Sequence, residues 1–127
     1  MDLNQVTISA KDVEKSTLFY KQLGLHLIVD AIPKYVRFEC PNGHSTFSIH
    51  KVDTVNTTKS NSITIYFENE NLDQTVDNLQ KKGLTFTQLP EDMPWLWREA
   101  HLYDPDGNKI ILYYAGKNRK NSPWRIN

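Results

Sequence analysis

The sequence lacks four features that would indicate particular classes of protein. Cys40 is the only cysteine in 127 residues, which excludes an intrachain disulfide. No apolar run approaches the roughly 20 residues that a membrane helix needs, and residues 1–5 lack the charged-then-apolar plan of a signal peptide. Fifteen basic side chains balance fifteen acidic ones, so no overall field attracts nucleic acid or an anionic membrane. We therefore expect a cytoplasmic protein with no nucleic-acid and no membrane partner.

The chain contains the same pattern of strand-like and helical segments twice. Residues 3–9 and 62–67 alternate polar and apolar side chains, as half-buried strands do. Each run precedes a helical segment that stops at a glycine, residues 12–23 before Gly24 and residues 72–82 before Gly83. Asn71 and Gln74 are placed for a cap of the second helix. Three strand-like runs then follow each helix, at 25–29, 35–40 and 46–50 and at 84–89, 97–103 and 109–114.

The repeated βαβββ pattern predicts an α+β fold in which two modules with curved mixed sheets form a cavity. A chain of this length is too short for two independent domains. We therefore predict a single domain over residues 1–127, divided into module one (about 3–52), a linker (53–61), module two (about 62–115) and a C-terminal tail (116–127).

The segment at residues 103–113 fixes the register of the last hairpin. Pro105 suits the second position of a type I turn and Gly107 the left-handed position that follows. Counting outward by twos places Ala100, Leu102, Ile110 and Leu112 on one face and Glu99, His101, Tyr103, Lys109, Ile111 and Tyr113 on the other. The same parity directs these residues toward the helices: Val6, Ile8, Leu27, Val29, Val36, Phe38, Phe47, Ile49, Ile63, Ile65, Phe67, Leu84 and Phe86.

The opposite face is polar and aromatic. A solvated sheet face explains its serines and threonines, whereas tyrosines interleaved with charged groups are typical of a small-molecule cavity. We predict that the ligand is a small organic molecule. The predicted substrate-binding residues are Gln5, Arg37, His50, Tyr66, Trp97, Lys109 and Tyr113.

Residues 3–8, 12–24 and 104–108 together resemble the glyoxalase, bleomycin-resistance and extradiol-dioxygenase superfamily, also called the vicinal oxygen chelate (VOC) superfamily. The resemblance spans about residues 3–115 and implies the VOC fold and a homodimer. In metal-dependent members it would place the ligands at Gln5, Ser48, Ser62 and Ile111. Three of these four depart from the usual pattern, because isoleucine has no lone pair and a neutral serine hydroxyl binds divalent ions poorly. We expect neither the usual metal nor another cofactor.

Glu99 and His101 lie two residues apart on one strand face and are the predicted catalytic residues. Glu99 can orient His101 or stabilise its protonated form. Two other interpretations stay open: a relocated metal site that adds His50 and perhaps Gln5, and hydrogen bonds that only complete a polar wall.

Several other side chains have more than one interpretation. Arg37 can pair with Glu39, or it can bind a substrate carboxylate or phosphate together with Lys109. Trp95, in a proline-bounded loop, is a lid, a cap of the core edge or part of a subunit interface. Trp124 is expected to pack against the body or a partner subunit.

These observations predict a bleomycin-resistance-like protein that binds its ligand without catalysis. The first alternative is an enzyme, a glyoxalase-like lyase or isomerase or a dioxygenase-like catalyst. It would use Glu99 and His101 as an acid–base pair or the relocated metal site with His50. The second alternative is a dimeric structural partner whose pocket is vestigial.

Overall fold

The computed structural model describes residues 1–53 and 63–126, which contain two α-helices and eight strands. The first half contains β1 (Gln5–Ala10), α1 (Val13–Leu23), β2 (His26–Ala31), β3 (Tyr35–Glu39) and β4 (Thr46–Lys51). The second contains β5 (Thr64–Glu68), α2 (Leu72–Lys81), β6 (Gln88–Asp92), β7 (Arg98–Tyr103) and β8 (Lys109–Tyr114), followed by a 3₁₀ turn (Gly116–Arg119). The predicted α+β class with two βαβββ modules is confirmed. None of the described helices is long and apolar enough to span a membrane.

The chain divides into two compact units. Unit one consists of Met1–Ser60 with Asp104–Asp106, and unit two of Asn61–Tyr103 with Gly107–Asn127. Unit one has the sheet order β1-β4-β3-β2 and unit two the order β5-β8-β7-β6. In each sheet the first strand pairs in parallel with the fourth, and the other pairs are antiparallel. The single domain stays a prediction, and most of the predicted linker at 53–61 lies outside the described residues.

Helix α1 begins and ends where the sequence predicts. The carboxylate of Asp12 accepts a backbone N–H of the first turn, and Gly24 ends the helix in the left-handed conformation at φ 116°. The helix buries Tyr20, whose ring lies 6.2 Å from that of Phe38 and 4.7 Å from that of Phe47, measured between centroids. The core of unit one therefore lies between α1 and one face of its sheet.

Asp104 and Asp106 contact α1 within unit one. The buried Tyr20 hydroxyl donates to Asp104 Oδ2 at 2.6 Å, and the buried Ser16 hydroxyl donates to Asp106 Oδ2 at 2.6 Å. Burial and the neighbouring Asp104 carboxylate raise the pKa of Tyr20 well above its usual value. Asp104 and Asp106, which the sequence predicts only as turn residues, therefore also accept hydrogen bonds from α1.

Helix α2 packs through a simple apolar stripe. Leu72, Val76 and Leu79 are its buried residues, as their spacing predicts. The predicted cap is wrong, because Asn71 makes no side-chain capping bond and Gln74 donates to an amide side chain one turn further along.

The last hairpin has the predicted register. His101 lies opposite Ile111 and Leu102 opposite Ile110, and Gly107 has a φ of 82°. Ile111 packs with Tyr113, Ala115 and Trp97 in one cluster. Ile111 therefore occupies the face opposite α2, as the parity requires.

Two core predictions fail at irregular places. A register shift between Leu27 and Val29 leaves Leu27 opposite Phe38 but places Val29 opposite Arg37. Val29 therefore belongs to the polar face and is exposed, because a bulge adds one residue to the alternation. Ile63 precedes β5 and is also exposed.

The strand predicted at 84–89 is largely wrong, since β6 begins at Gln88. Leu84 and Phe86 precede this strand and are only half-buried. The predicted packing of Trp124 is not seen in this chain, where the residue is 61% exposed.

Candidate functional site

Each sheet carries functional side chains on the face opposite its helix. The unit-one face contains Gln5, Tyr35, Arg37, Thr46, Ser48 and His50, and the unit-two face contains Tyr66, Trp97, Glu99, His101, Lys109 and Tyr113. These two faces hold all nine predicted site residues, and each face is a candidate site of its own unit.

A continuous hydrogen-bond network covers the centre of the unit-one face. Ser48 lies on the strand between β1 and β3 and is fully buried. Its hydroxyl accepts from the Gln5 amide Nε2 and lies 2.7 Å from the Tyr35 hydroxyl. The amide oxygen of Gln5 accepts in turn from the Thr46 hydroxyl. Both the oxygen and the nitrogen of the Gln5 amide are therefore hydrogen-bonded to neighbouring side chains.

Arg37 is bound to Tyr35 rather than to Glu39. Its Nε donates to the Tyr35 hydroxyl at 2.9 Å, and its guanidinium carbon lies 5.5 Å from the centroid of the Tyr35 ring. The hydrogen bond with Ser48 and the Arg37 guanidinium lower the pKa of Tyr35, since both favour the phenolate. The predicted pair with Glu39 is wrong, because the Glu39 carboxylate lies beside His26 at 3.7 Å.

His50 is exposed at the edge of the unit-one face. Its Nε2 lies 2.9 Å from the Ser9 hydroxyl, and the residue stands opposite Tyr35 on the neighbouring strand. His50 belongs to unit one, whereas Glu99 and His101 belong to unit two. Its predicted part in a substrate site or in a relocated metal site stays a prediction.

Glu99 and His101 contact each other on β7. Glu99 is only 1% exposed, and its Oε1 lies 2.8 Å from Nε2 of His101. The His101 side chain keeps 14% of its surface accessible. A base that is partly open to a ligand and held by a buried carboxylate has the arrangement that proton transfer requires.

Trp95 contacts the candidate site through Glu99, a contact that the sequence did not predict. Its indole N–H donates to Glu99 Oε2 at 2.7 Å, while the side chain stays exposed. Gln88 Nε2 also donates to the Glu99 carbonyl oxygen at 3.3 Å. The sequence held one indication of this contact, since Trp95 lies four residues before Glu99 and the indole N–H of a packed tryptophan needs an acceptor.

Three aromatic rings form a cluster beside this pair. Trp97 and Tyr113 stack with a centroid distance of 4.7 Å and an interplanar angle of 23°, and Tyr66 meets both rings edge-on at 5.8 and 5.4 Å. Burial raises the pKa of Tyr66 and of Tyr113, and the Glu99 carboxylate raises that of Tyr66 further. Within unit two the structure therefore brings five predicted residues into one region: Tyr66, Trp97, Glu99, His101 and Tyr113.

Lys109 lies at the start of β8, opposite Thr64 on β5 and Tyr103 on β7. The side chain is half-buried and makes no ion pair within the described part of the chain. Its binding role stays a prediction.

The side chains present do not fit the metal that the resemblance implies. The Gln5 amide and the Ser48 hydroxyl are engaged with each other and with their neighbours, and Ile111 packs against aromatic rings. The fourth position, Ser62, lies outside the described residues. Across residues 1–53 and 63–126, no group of three or more His, Cys, Asp or Glu side chains is placed to hold a metal ion. The relocated site with His50 therefore gains no support.

Comparison with known sequences identifies similar proteins. Residues 2–112 match the Glyoxalase/Bleomycin resistance protein/Dioxygenase superfamily. The uncharacterized protein YraH of Bacillus subtilis (strain 168) is 31% identical over 127 residues, an alignment that covers 89% of this chain and 98% of that protein.

Solved structures agree on the fold. A member of the glyoxalase/bleomycin resistance protein/dioxygenase superfamily from Sphaerobacter thermophilus is 26% identical and superposes with a TM-score of 0.70 over 90% of this chain and 97% of that chain. A bleomycin-binding protein in complex with bleomycin is 16% identical, with a TM-score of 0.73 over 90% of this chain and 98% of that chain.

Proposed function

Because the chain belongs to the glyoxalase/bleomycin resistance protein/dioxygenase superfamily, we propose that it binds a small organic molecule at a polar and aromatic sheet face. The observation that carries this proposal is the unit-two face, where a buried carboxylate and a partly open imidazole lie beside a cluster of three aromatic rings. Mainly aromatic linings with a few placed polar groups are typical of small-molecule sites. The usual metal is not part of this proposal.

The ligand proposed for this face has a planar or apolar portion. Trp97, Tyr66 and Tyr113 offer large ring surfaces whose few rotatable bonds limit the entropy cost of binding. The bleomycin-binding protein of the same fold supports the proposal, because it is a binding protein for an organic molecule.

Differential scanning fluorimetry against a panel of small organic molecules tests the proposal. The panel contains planar aromatic acids, their neutral analogues and bleomycin. We expect at least one compound to raise Tm in a saturable manner, since a ligand that binds only the folded state stabilises it. Trp97→Phe should weaken this response by about tenfold in apparent affinity, the equivalent of about 1.4 kcal/mol. Trp124→Phe, at an exposed tail position, is the matched control and should leave the response unchanged.

Two outcomes would contradict the proposal. A panel without any saturable shift removes the binding function and favours the structural-partner alternative. Elemental analysis that finds one divalent ion per purified chain contradicts the proposal that the protein binds its ligand without a metal.

A catalytic function is the second candidate, favoured by the 2.8 Å contact between Glu99 and His101. In this proposal His101 accepts a proton from the ligand, and Glu99 orients the ring and stabilises its protonated form. This proton transfer is the step that a lyase or isomerase would use.

Proton exchange tests the catalytic candidate without knowledge of the full reaction. A panel ligand is incubated with the protein in D₂O, and the loss of a C–H signal is followed by ¹H NMR. We expect His101→Gln to abolish the exchange and Glu99→Gln to slow it by about 10²-fold or more. His44→Gln, at an exposed position, is the control. Exchange that survives in His101→Gln contradicts the assignment.

We also propose that the protein is a cytoplasmic homodimer, the state that the resemblance implies. Size-exclusion chromatography with light scattering should give twice the mass of the 14.8 kDa chain. A monomer at micromolar concentration contradicts the dimer.

A further inference from the structure

Arg37 has no carboxylate partner among the described residues, and in this it differs from two of the other three arginines. Arg98 binds Asp73 and Asp92, and Arg119 lies 3.6 Å from Glu68. Arg125 donates to a carbonyl and an amide oxygen in the tail. Among the described residues, Arg37 uses only its Nε, and the acceptor is the neutral Tyr35 hydroxyl. Its positive charge is therefore uncompensated.

The two terminal nitrogens of Arg37 are open to a ligand. Within the described residues, every fully buried side-chain nitrogen or oxygen has a hydrogen-bond partner. The Nη1 and Nη2 atoms have no partner there, so they are not among the fully buried atoms. The bond from Nε to Tyr35 holds the planar guanidinium in place, which reduces the rotamer entropy lost when the terminal nitrogens bind.

The neighbouring hydroxyl groups hold one spare proton. Tyr35 and Ser48 each carry one hydroxyl proton, but the single 2.7 Å contact between them uses only one of the two. Gln5 Nε2 donates to Ser48 and Arg37 Nε donates to Tyr35, so these two contacts supply further donors rather than acceptors. The group therefore has an excess of donors and lacks an acceptor.

We propose that Arg37, together with the spare hydroxyl proton of the Tyr35–Ser48 pair, binds a carboxylate of the ligand. This inference rests on the proposed binding function and names the charged group of a ligand that binds at the unit-one face. A carboxylate supplies two acceptor oxygens in one plane, which match the two terminal nitrogens of a guanidinium. It also supplies one negative charge for the single uncompensated positive charge. A phosphate dianion would exceed that charge.

Four probes with a common phenyl ring test the inference: benzoate, benzamide, benzyl alcohol and phenyl phosphate. Binding is measured by titration followed with ¹H–¹⁵N NMR, including the Nε–H signal of Arg37. We expect benzoate to bind at least about tenfold more tightly than benzamide, since hydrogen bonds between a guanidinium and a carboxylate are about twice as strong as those between neutral groups. The Arg37 Nε–H signal should shift with benzoate and not with benzyl alcohol.

Three variants define the contribution of each group. Arg37→Gln should weaken benzoate binding by about tenfold or more. Arg37→Lys should restore only part of it, because lysine keeps the charge but lacks the planar pair of donors. Arg125→Gln removes an exposed arginine and should leave the affinity unchanged.

The outcomes separate this inference from the proposed function. Equal affinity for benzoate and benzamide, or an unchanged benzoate affinity in Arg37→Gln, overturns the carboxylate site and leaves small-molecule binding in place. Preference for phenyl phosphate that depends on Arg37 also overturns the carboxylate assignment. If benzoate gives no response while a neutral panel compound still stabilises the protein, only the inference fails. If no compound of either set binds, both fail.

Discussion

The third strand of each unit carries two side chains that lie two residues apart and contact each other. The residue types differ between the units. In unit one Tyr35 and Arg37 lie two residues apart on β3, and Arg37 Nε contacts the Tyr35 hydroxyl at 2.9 Å. In unit two Glu99 and His101 occupy the matching positions on β7, with a contact of 2.8 Å. The register supports the match, because Arg37 stands opposite Ser48 and His101 opposite Ile111 on the fourth strand of each sheet.

The difference lies in the acceptor. The neutral phenol of Tyr35 leaves the charge of Arg37 uncompensated, whereas the carboxylate of Glu99 can compensate a protonated His101. In the two proposals, unit one therefore offers a cation to a ligand, and unit two offers an imidazole beside a carboxylate. The repeated topology fixes the position of the pair, and the side chains decide which chemical groups that position presents.

The largest expected effect concerns the packing of the unit-two face. Trp97→Ala removes the stack with Tyr113 and the contacts with Tyr66 and Ile111. We expect a loss of about 3–5 kcal/mol in the free energy of unfolding, measured with urea. Trp124→Ala should change it by less than about 0.5 kcal/mol, as at most exposed positions. Equal effects of the two variants would show that the aromatic cluster does not support the unit.

A smaller effect is expected for the polar network of the unit-one face. Ser48→Ala leaves the Gln5 amide and the Tyr35 hydroxyl without their buried partner. We expect a loss of about 1–3 kcal/mol in the free energy of unfolding. Ser45→Ala, at an exposed position three residues earlier, is the control and should be close to neutral. A neutral result for Ser48→Ala would mean that solvent replaces the network without cost.

The smallest effect concerns the ionisation of the tyrosines on the two faces. The lowered pKa of Tyr35 predicts that this phenol ionises before Tyr66 and Tyr113, whose pKa values are raised. Absorbance at 295 nm should show an early component that Tyr35→Phe removes and Arg37→Gln moves to higher pH. A first component that persists in Tyr35→Phe contradicts the assignment.

Linkage gives these shifts opposite signs in stability. A lowered folded-state pKa makes Tyr35 contribute stability above its unfolded pKa of about 10, and this contribution is lost as the pH falls through the folded value. The raised pKa of Tyr66 and of Tyr113 gives a contribution that is present below about pH 10 and lost as the pH rises through the folded values. Alkaline unfolding of the Tyr→Phe variants measures each contribution.

Most of the fold could be predicted because its signals are local. Alternation of period two identifies most strands, and Pro105 with Gly107 fixes the last hairpin. The bulge in β2 could not be predicted, because the extra residue before Val29 leaves no mark in composition. Residues 84–89 alternate apolar and polar side chains like a strand, but β6 begins only at Gln88.

The sequence predicts which sheet face each candidate site residue occupies. It predicts less well which side chain each residue contacts. Parity placed Glu99 and His101 on one face, and two residues on one strand face are close enough to touch. The same parity suggested Arg37 with Glu39, but Glu39 stands opposite His26 across the strands and pairs there. Trp95 was not assigned to Glu99 because the direction of a loop side chain depends on tertiary contacts.

The acceptors for Tyr20 and Ser16 come from Asp104 and Asp106, so unit one is discontinuous along the gene. A fragment that stops at residue 60 retains the donors and loses both acceptors. Each orphaned buried hydroxyl would cost about 1–3 kcal/mol. The two halves of the sequence are therefore not independent units that can be exchanged. Any recombination, permutation or split-protein design of this chain has to carry that distant tripeptide along with the first half.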